Sequence, residues 1–193
     1  MIRVICAAWL VLTAPLALAL DDPSEWLSAK TSMILAEISE ADLSTDDTQG
    51  QADLAERVII PHVNVEGIAM RAVGRPWRQV SETDRARFIV GMKSRLLDLY
   101  GGAFSQFKSA DLEVLSQRVS NRGDRAIVNT RLRRPGDDWL AAEFRLIVSD
   151  DQWQVLDVAI EGVSLLSSYK AQIDERVNRL GLEGAIEEVA AGR

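Results

Sequence analysis

The sequence predicts an α+β domain in which N-terminal helices precede a curved four-stranded antiparallel sheet and a C-terminal helix. Three observations carry this reading. Apolar residues recur at helical spacing as far as Phe104, then alternate with a period of two from Asp111 onward. The alternating runs are joined by Asn121-Arg122-Gly123-Asp124, Pro135-Gly136-Asp137-Asp138 and Ser149-Asp150-Asp151, short turn-rich connections of the kind that wire an antiparallel meander. Beyond Glu161-Gly162 the helical period returns.

The chain opens with Arg3, an unbroken apolar run from Val4 to Leu12 and the small-residue site Ala17-Leu18-Ala19. That order reads as a secretory signal peptide, residues 1–19, cleaved after Ala19. As a membrane anchor the run is short against a bilayer core of about 30 Å, and Thr13 and Pro15 interrupt it. The single cysteine, Cys6, leaves with the leader, so the remaining chain has no disulfide or thiol chemistry and depends on its core. Residues 20–193 suffice for one domain. With 22 basic and 29 acidic residues the formal charge is −7, and loss of Arg3 takes it to −8. That balance argues against nucleic-acid binding. The export signal points to the periplasm.

Asp22-Pro23-Ser24-Glu25 starts the first helix: Asp22 caps it, Pro23 suits its first position and Glu25 can reach back to the cap. Trp26, Leu27, Met33, Ile34 and Ile38 form its apolar side. Residues 44–51 are polar and aperiodic, a loop. A second helix runs from about Ala52 to Ile60 and stops at Pro61. A third spans His62 to Val73 and ends at Gly74. Ser81 caps the longest helix, whose stripe of Phe88, Met92, Leu96, Leu99 and Ala103 is broadened by Ile89, Tyr100 and Phe104. Gly101-Gly102 should weaken its end.

The strands are Leu112 to Val119, Arg125 to Arg133, Leu140 to Ser149, and a fourth beginning at Trp153. Alternation turns Ala126, Val128, Thr130 and Leu132 inward, with Ala142, Phe144, Leu146 and Val148 beside them. On the fourth strand it groups Leu156, Val158 and Ile160 inward and Val155, Asp157 and Ala159 outward. Gly162 permits a sharp turn. Leu165, Leu166, Tyr169, Ile173, Val177 and Leu180 then define the last helix, which Gly181 ends, with a further short turn over residues 182–190. One face of the sheet is apolar and must be covered, and the helices supply the cover. The arrangement is like the nuclear-transport-factor fold, a cone able to hold a ligand.

Catalytic signals are sparse. His62 is the only histidine, with no nucleophile motif and no second histidine near it, so it reads as structural and no metal site follows. Cones of this type host carboxylate acid–base catalysts, but Asp157 and Glu143 point away from the apolar face. The chain reads as a non-enzyme. Arg131, Arg133 and Arg134 form the densest basic group. They contact a lipid phosphate or an acidic partner, or else form a solvated outer face paired with Glu143 or the Asp137-Asp138 turn. Trp139 beside them is expected to be exposed or half-buried, marking a partner surface.

Three segments carry a family resemblance. Trp153 to Leu165 follows W-x-V-x-D-x-x-I-E-G-V-S-L. Pro61 is followed by His62-Val63-Asn64. Gly74-x-x-Trp77 precedes Ser81-x-x-Asp84-Arg85 and a long helix ending Leu99-Tyr100-Gly101. In this order and spacing, over roughly Leu27 to Leu182, the chain resembles the MlaC family, the toluene-tolerance proteins. The resemblance implies a periplasmic phospholipid-binding protein of the maintenance-of-lipid-asymmetry pathway. It also implies transfer between an outer-membrane lipoprotein–porin complex and an inner-membrane ABC transporter, usually inward, with acyl chains buried and the headgroup outside.

A carrier of this kind needs a dry cavity and no cofactor, with phospholipid as cargo. At about 0.8 kcal/mol per buried CH₂, partial burial of two chains of about 16 carbons exceeds about 10 kcal/mol gross. The residues expected to line the cavity are Phe88, Met92, Leu96, Tyr100 and Phe104 from the longest helix, with Val128, Phe144, Leu146, Val148, Leu156, Val158 and Ile160 from the sheet. The alternatives are a hopanoid cargo, or a ligand-free adaptor whose cone is filled by its own side chains. Monomer is the default state.

Overall fold

The computed structural model describes residues 20–44, 46–104, 110–133 and 136–192, with 99–104 as backbone only. The expected signal peptide and Arg134 lie outside the described residues, as do the side chains of Tyr100 and Phe104. Helices α1 (Pro23–Ala41), α2 (Thr48–Val58), α3 (Val65–Val73) and α4 (Glu82–Phe104) precede the sheet, and α5 (Leu165–Ala190) follows it.

Local hydrogen bonding sets the helix starts. Asp22 Oδ1 accepts from the N–H groups of Ser24 and Glu25 at 3.0 and 3.2 Å, the expected cap. Helix α2 begins earlier than its apolar pattern suggests, because Asp47 caps it by accepting from Gly50 N–H at 2.9 Å. Helix α3 begins later, at Val65, where Asn64 accepts from Gly67 N–H at 2.6 Å. Ile60–His62 forms a separate 3₁₀ turn containing Pro61. Ser81 accepts from Asp84 N–H at 3.1 Å, as expected for α4, whose helical backbone continues through Gly101-Gly102.

Strands β1 (Asp111–Val119), β2 (Arg125–Arg133), β3 (Leu140–Ser149), β4 (Gln152–Ile160) and β5 (Val163–Ser164) form one antiparallel sheet in sequence order. The four long strands are those expected. The fifth is a two-residue addition, made as the chain reverses through Glu161 (φ 48°) and Gly162 (φ 80°).

The register shifts twice. In β1 the shift falls between Val114 and Ser116, leaving Leu115 unpaired. In β4, Arg145 faces Asp157 while its neighbour Leu146 faces Val155, leaving Leu156 unpaired. An extra residue of this kind breaks the period of two. The inward grouping of Leu156, Val158 and Ile160 is therefore corrected. Val158 faces Phe144 and Ile160 faces Ala142, but Val155 takes the inner position opposite Leu146. Leu156 reaches helix α3 instead, its Cδ1 3.1 Å from where a Cβ on Gly67 would sit. The same stretch of β4 is tied to the segment before α3, since Val63 bridges Val155 and Asn64 N–H donates to the Val155 carbonyl at 2.9 Å.

Two large cores and one smaller cluster result. On the sheet, Trp26 and Leu27 of α1 pack with Ala126, Val128, Leu146 and Trp153. Further along, α1 changes partner from the sheet to α2, where Ile38 meets Leu54 and Val58. The apolar stripe turns with it, and Met33, expected on that stripe, is exposed. The second core joins α3, α4 and α5 through Ala69, Trp77, Phe88, Met92, Tyr169 and Ile173. Helix α5 breaks at Gly181 (φ 74°), and its last turns bring Ile186 and Val189 into the same core. Arg176 holds this break by donating to Glu188 at 3.0 Å.

Candidate functional site

The inner face of the sheet is the candidate site. Residues paired across strands share a face, which gives three rows: Gln117, Val128, Phe144 and Val158; then Val114, Thr130, Ala142 and Ile160; then Leu112, Leu132 and Leu140. The Thr130 hydroxyl donates to the Ala142 carbonyl at 2.9 Å, so the middle row presents no unsatisfied polar group there.

This face is closed at one end and open at the other. The first turn of α1 closes it with Trp26 and Leu27, and Trp153 joins them, its Nε1 donating to the Asp21 carbonyl at 2.8 Å. Gln117 fastens the same turn, its amide Nε2 donating to Asp22 Oδ2 and its Oε1 accepting from Ser24 N–H at 3.1 Å. Hydrogen bonds from Ser24 and Gln117 hold the Asp22 carboxyl down at about 2. At the opposite end Leu140 and Ile160 are each 37% exposed and Val163 is 60% exposed. A cleft of about 240 Å³ lies at the β1 edge, between Ser28, Thr31, Ser32 and Leu35 of α1 and Ala110, Asp111 and Leu112 at the start of β1.

A family model for the MlaC protein matches residues 29–191, most of the length. The chain belongs to the MlaC family. A solved phospholipid-binding protein from Ralstonia solanacearum, in complex with a phospholipid, has the same fold. The likeness has a TM-score of 0.78 at 23% identity and covers 89% of this chain and 98% of that one. No curated protein sequence matches this chain.

In this MlaC-family chain the expected cavity residues divide between the two cores. Val128 and Leu146 lie in the sheet core, with Phe144 and Val148 half-buried against it. Val158 and Ile160 share their face toward the open end, and Leu156 does not. Phe88 and Met92 are completely buried, with Leu96 packed beside them, but among α3 and α5, because α4 packs chiefly on α2, α3 and α5. Phe88 meets Trp77 edge-on at 5.8 Å. Sequence reasoning left Leu35, Leu112, Leu132 and Leu140 out of the cavity. Alternation already placed Leu132 inward, so that residue was within reach.

The polar groups are engaged structurally. Asp157 is buried and accepts from Ser164 Oγ at 2.7 Å, Leu166 N–H at 3.0 Å and Arg145 at 3.1 Å. His62 meets Trp26 edge-on at 6.2 Å, and burial, aided by the Lys30 charge, lowers its pKa. Arg131 and Arg133 pair with Glu113 and Asp111 on β1, at 2.5 and 3.2 Å, rather than with Glu143. Glu143 pairs with Arg145 instead. The half-buried Trp139 ring lies against both guanidinium groups, at 4.4 and 4.5 Å. Among the described residues no group of His, Cys, Asp and Glu is arranged to hold a metal ion, and no helix is long and apolar enough to cross a membrane.

Proposed function

We propose that this chain is a periplasmic phospholipid carrier. One observation carries the reading. The inner sheet face is sealed by Trp26, Leu27 and Trp153 and open through Leu140, Ile160 and Val163, so apolar chains can enter along it from one end. Phe144 and Val158 lie between the two ends and supply the wall. Burial of apolar chains needs no specific headgroup contact for affinity. Family membership and the phospholipid-bound Ralstonia protein support phospholipid over a hopanoid cargo. We further infer export through the leader of residues 1–19 and exchange of cargo between outer-membrane and inner-membrane complexes, which would maintain outer-membrane lipid asymmetry. The chain acts by binding, not by catalysis: its best candidate carboxylate, Asp157, is occupied in holding β4 to α5.

The test is mass spectrometry of a solvent extract from protein purified without detergent from its native periplasm. About one phospholipid per chain is the expected stoichiometry. A hopanoid in its place keeps the pocket and changes the cargo. A clean extract, together with no uptake from phospholipid vesicles, overturns the carrier reading in favour of an adaptor.

A further inference from the structure

We propose that the cleft between α1 and the start of β1 holds the ester linkage of a diacyl glycerolipid, with Ser28, Thr31 and Ser32 donating to its carbonyl oxygens. The ester site rests on the carrier reading above and names the part of the cargo that this chain recognises. Ser28, Thr31, Ser32 and Leu35 follow one another at helical spacing, so they share one side of α1. The helix starts on the sheet core, where Trp26 and Leu27 pack. A helix side laid on an apolar sheet is expected to stay apolar. Here it turns to three hydroxyls just where α1 passes Leu112. Leu112 belongs to the inner row that runs through Leu132 to Leu140 at the open end. Two strand spacings, about 10 Å, separate Leu112 from Leu140.

The three hydroxyls make no hydrogen bond among the described residues. A helical serine can bond back to the carbonyl one turn earlier, as Ser168 does to Ser164 at 2.9 Å. Ser28 and Thr31 are half-buried and Ser32 is exposed, so the free donors stand at the border between the apolar face and water. The cleft holds about 240 Å³, less than the roughly 300 Å³ at which pockets for whole ligands begin. It takes one polar segment of a lipid and leaves the chains to the sheet face. Among the described residues no Lys or Arg lines it, and its one carboxylate, Asp111, is paired with Arg133 at 3.2 Å. Neutral donors suit a neutral acceptor, whereas a phosphate calls for a cationic partner. An ester carbonyl is such an acceptor, and in a diacyl glycerolipid it joins the apolar chains to the headgroup. With the ester in the cleft, the chains lie over the sheet toward Trp26 and Trp153 and the headgroup stays in water.

The purified, lipid-free protein and a variant combining Ser28→Ala, Thr31→Val and Ser32→Ala are titrated with two probes. One is a diester phosphatidylcholine, and the other is its diether analogue, which keeps the chains and headgroup but has no carbonyl oxygens. The wild type is expected to bind the diester about tenfold more tightly than the diether. The variant is expected to bind the two alike, at the level of the diether. A wild type that binds both alike overturns the ester site while the carrier reading stands, and that comparison needs no variant. A variant that keeps the preference overturns the site too, as does one that loses both lipids together. Failure of the carrier reading looks different: the wild type binds neither lipid, and the ester site falls with it. The substitutions remove oxygens that have no partner, and Ala favours a helix over Ser. The denaturation midpoint therefore stays close to or above that of the wild type and separates lost binding from lost folding.

Discussion

Asp157 on β4 caps the helix that closes the chain: its Oδ1 accepts from the backbone N–H of Leu166 at 3.0 Å. Its Oδ2 accepts from Ser164 and Arg145. One buried carboxylate thus joins β3, β4, β5 and α5. Asp157→Ala would strand the Leu166 N–H and the Ser164 hydroxyl beside an apolar methyl. Arg145 is half-exposed and recovers water, so the loss comes mainly from the first two donors. The expected cost is about 3 kcal/mol of unfolding free energy in urea. A variant within about 0.5 kcal/mol of wild type would remove the capping role.

Gly91 on α4 lies against the backbone of α5 rather than in open space. A Cβ there would come 2.7 Å from Ala190 Cα and from the Val189 carbonyl carbon. In an exposed helix Gly→Ala is worth about 1 kcal/mol of stabilisation. Here the clash is with backbone, which cannot rotate away, and overpacking costs about 1–3 kcal/mol or more. Gly91→Ala is expected to destabilise, with faster amide exchange in residues 182–190. A stabilised variant would mean that the end of α5 does not pack on α4.

The strands were legible because burial on one face writes a period of two directly into the chain. Arg125–Arg133 and Leu140–Ser149 match their expected bounds, and Trp153 begins an inward-facing run. The inserted Leu156 was not legible. It is apolar on either face, and only the pairing of Leu146 with Val155 reveals the shift. The partners of the α4 stripe were not legible for a related reason. Phe88 and Met92 are apolar at helical spacing, but periodicity states that a face is buried and not what buries it. Trp77, Tyr169 and Ile173, distant in sequence, turned out to be the partners.

Acid should loosen the closed end of the sheet first. The Asp22 carboxyl titrates at about 2 in the folded chain against 3.8 ordinarily. The fold therefore favours the charged form. Its contribution is complete above the ordinary value and is lost as pH falls from there through about 2. Asp22 is exposed, so screening keeps the effect small. In urea midpoints measured from about pH 5 downward, the wild type should fall more steeply than Asp22→Asn. Parallel curves would mean that Gln117 and Ser24 do not hold the carboxylate in solution.

The two cores predict opposite phenotypes for two residues that the sequence placed in one cavity. Phe88 is fully buried among helices, and Phe88→Ala should cost about 3–5 kcal/mol of stability through the cavity it leaves. Ile160 sits half-open at the end of the sheet face, between Ala142 and Val163. Ile160→Glu places a charge where acyl chains would pass, yet its own site is near water, so stability should change by less than about 1 kcal/mol. Bound phospholipid should fall well below one per chain in this variant alone, once Phe88→Ala is assayed at a temperature where it remains folded. If Phe88→Ala releases lipid while Ile160→Glu retains it, the cargo lies among α3, α4 and α5, and the open sheet face is not its route.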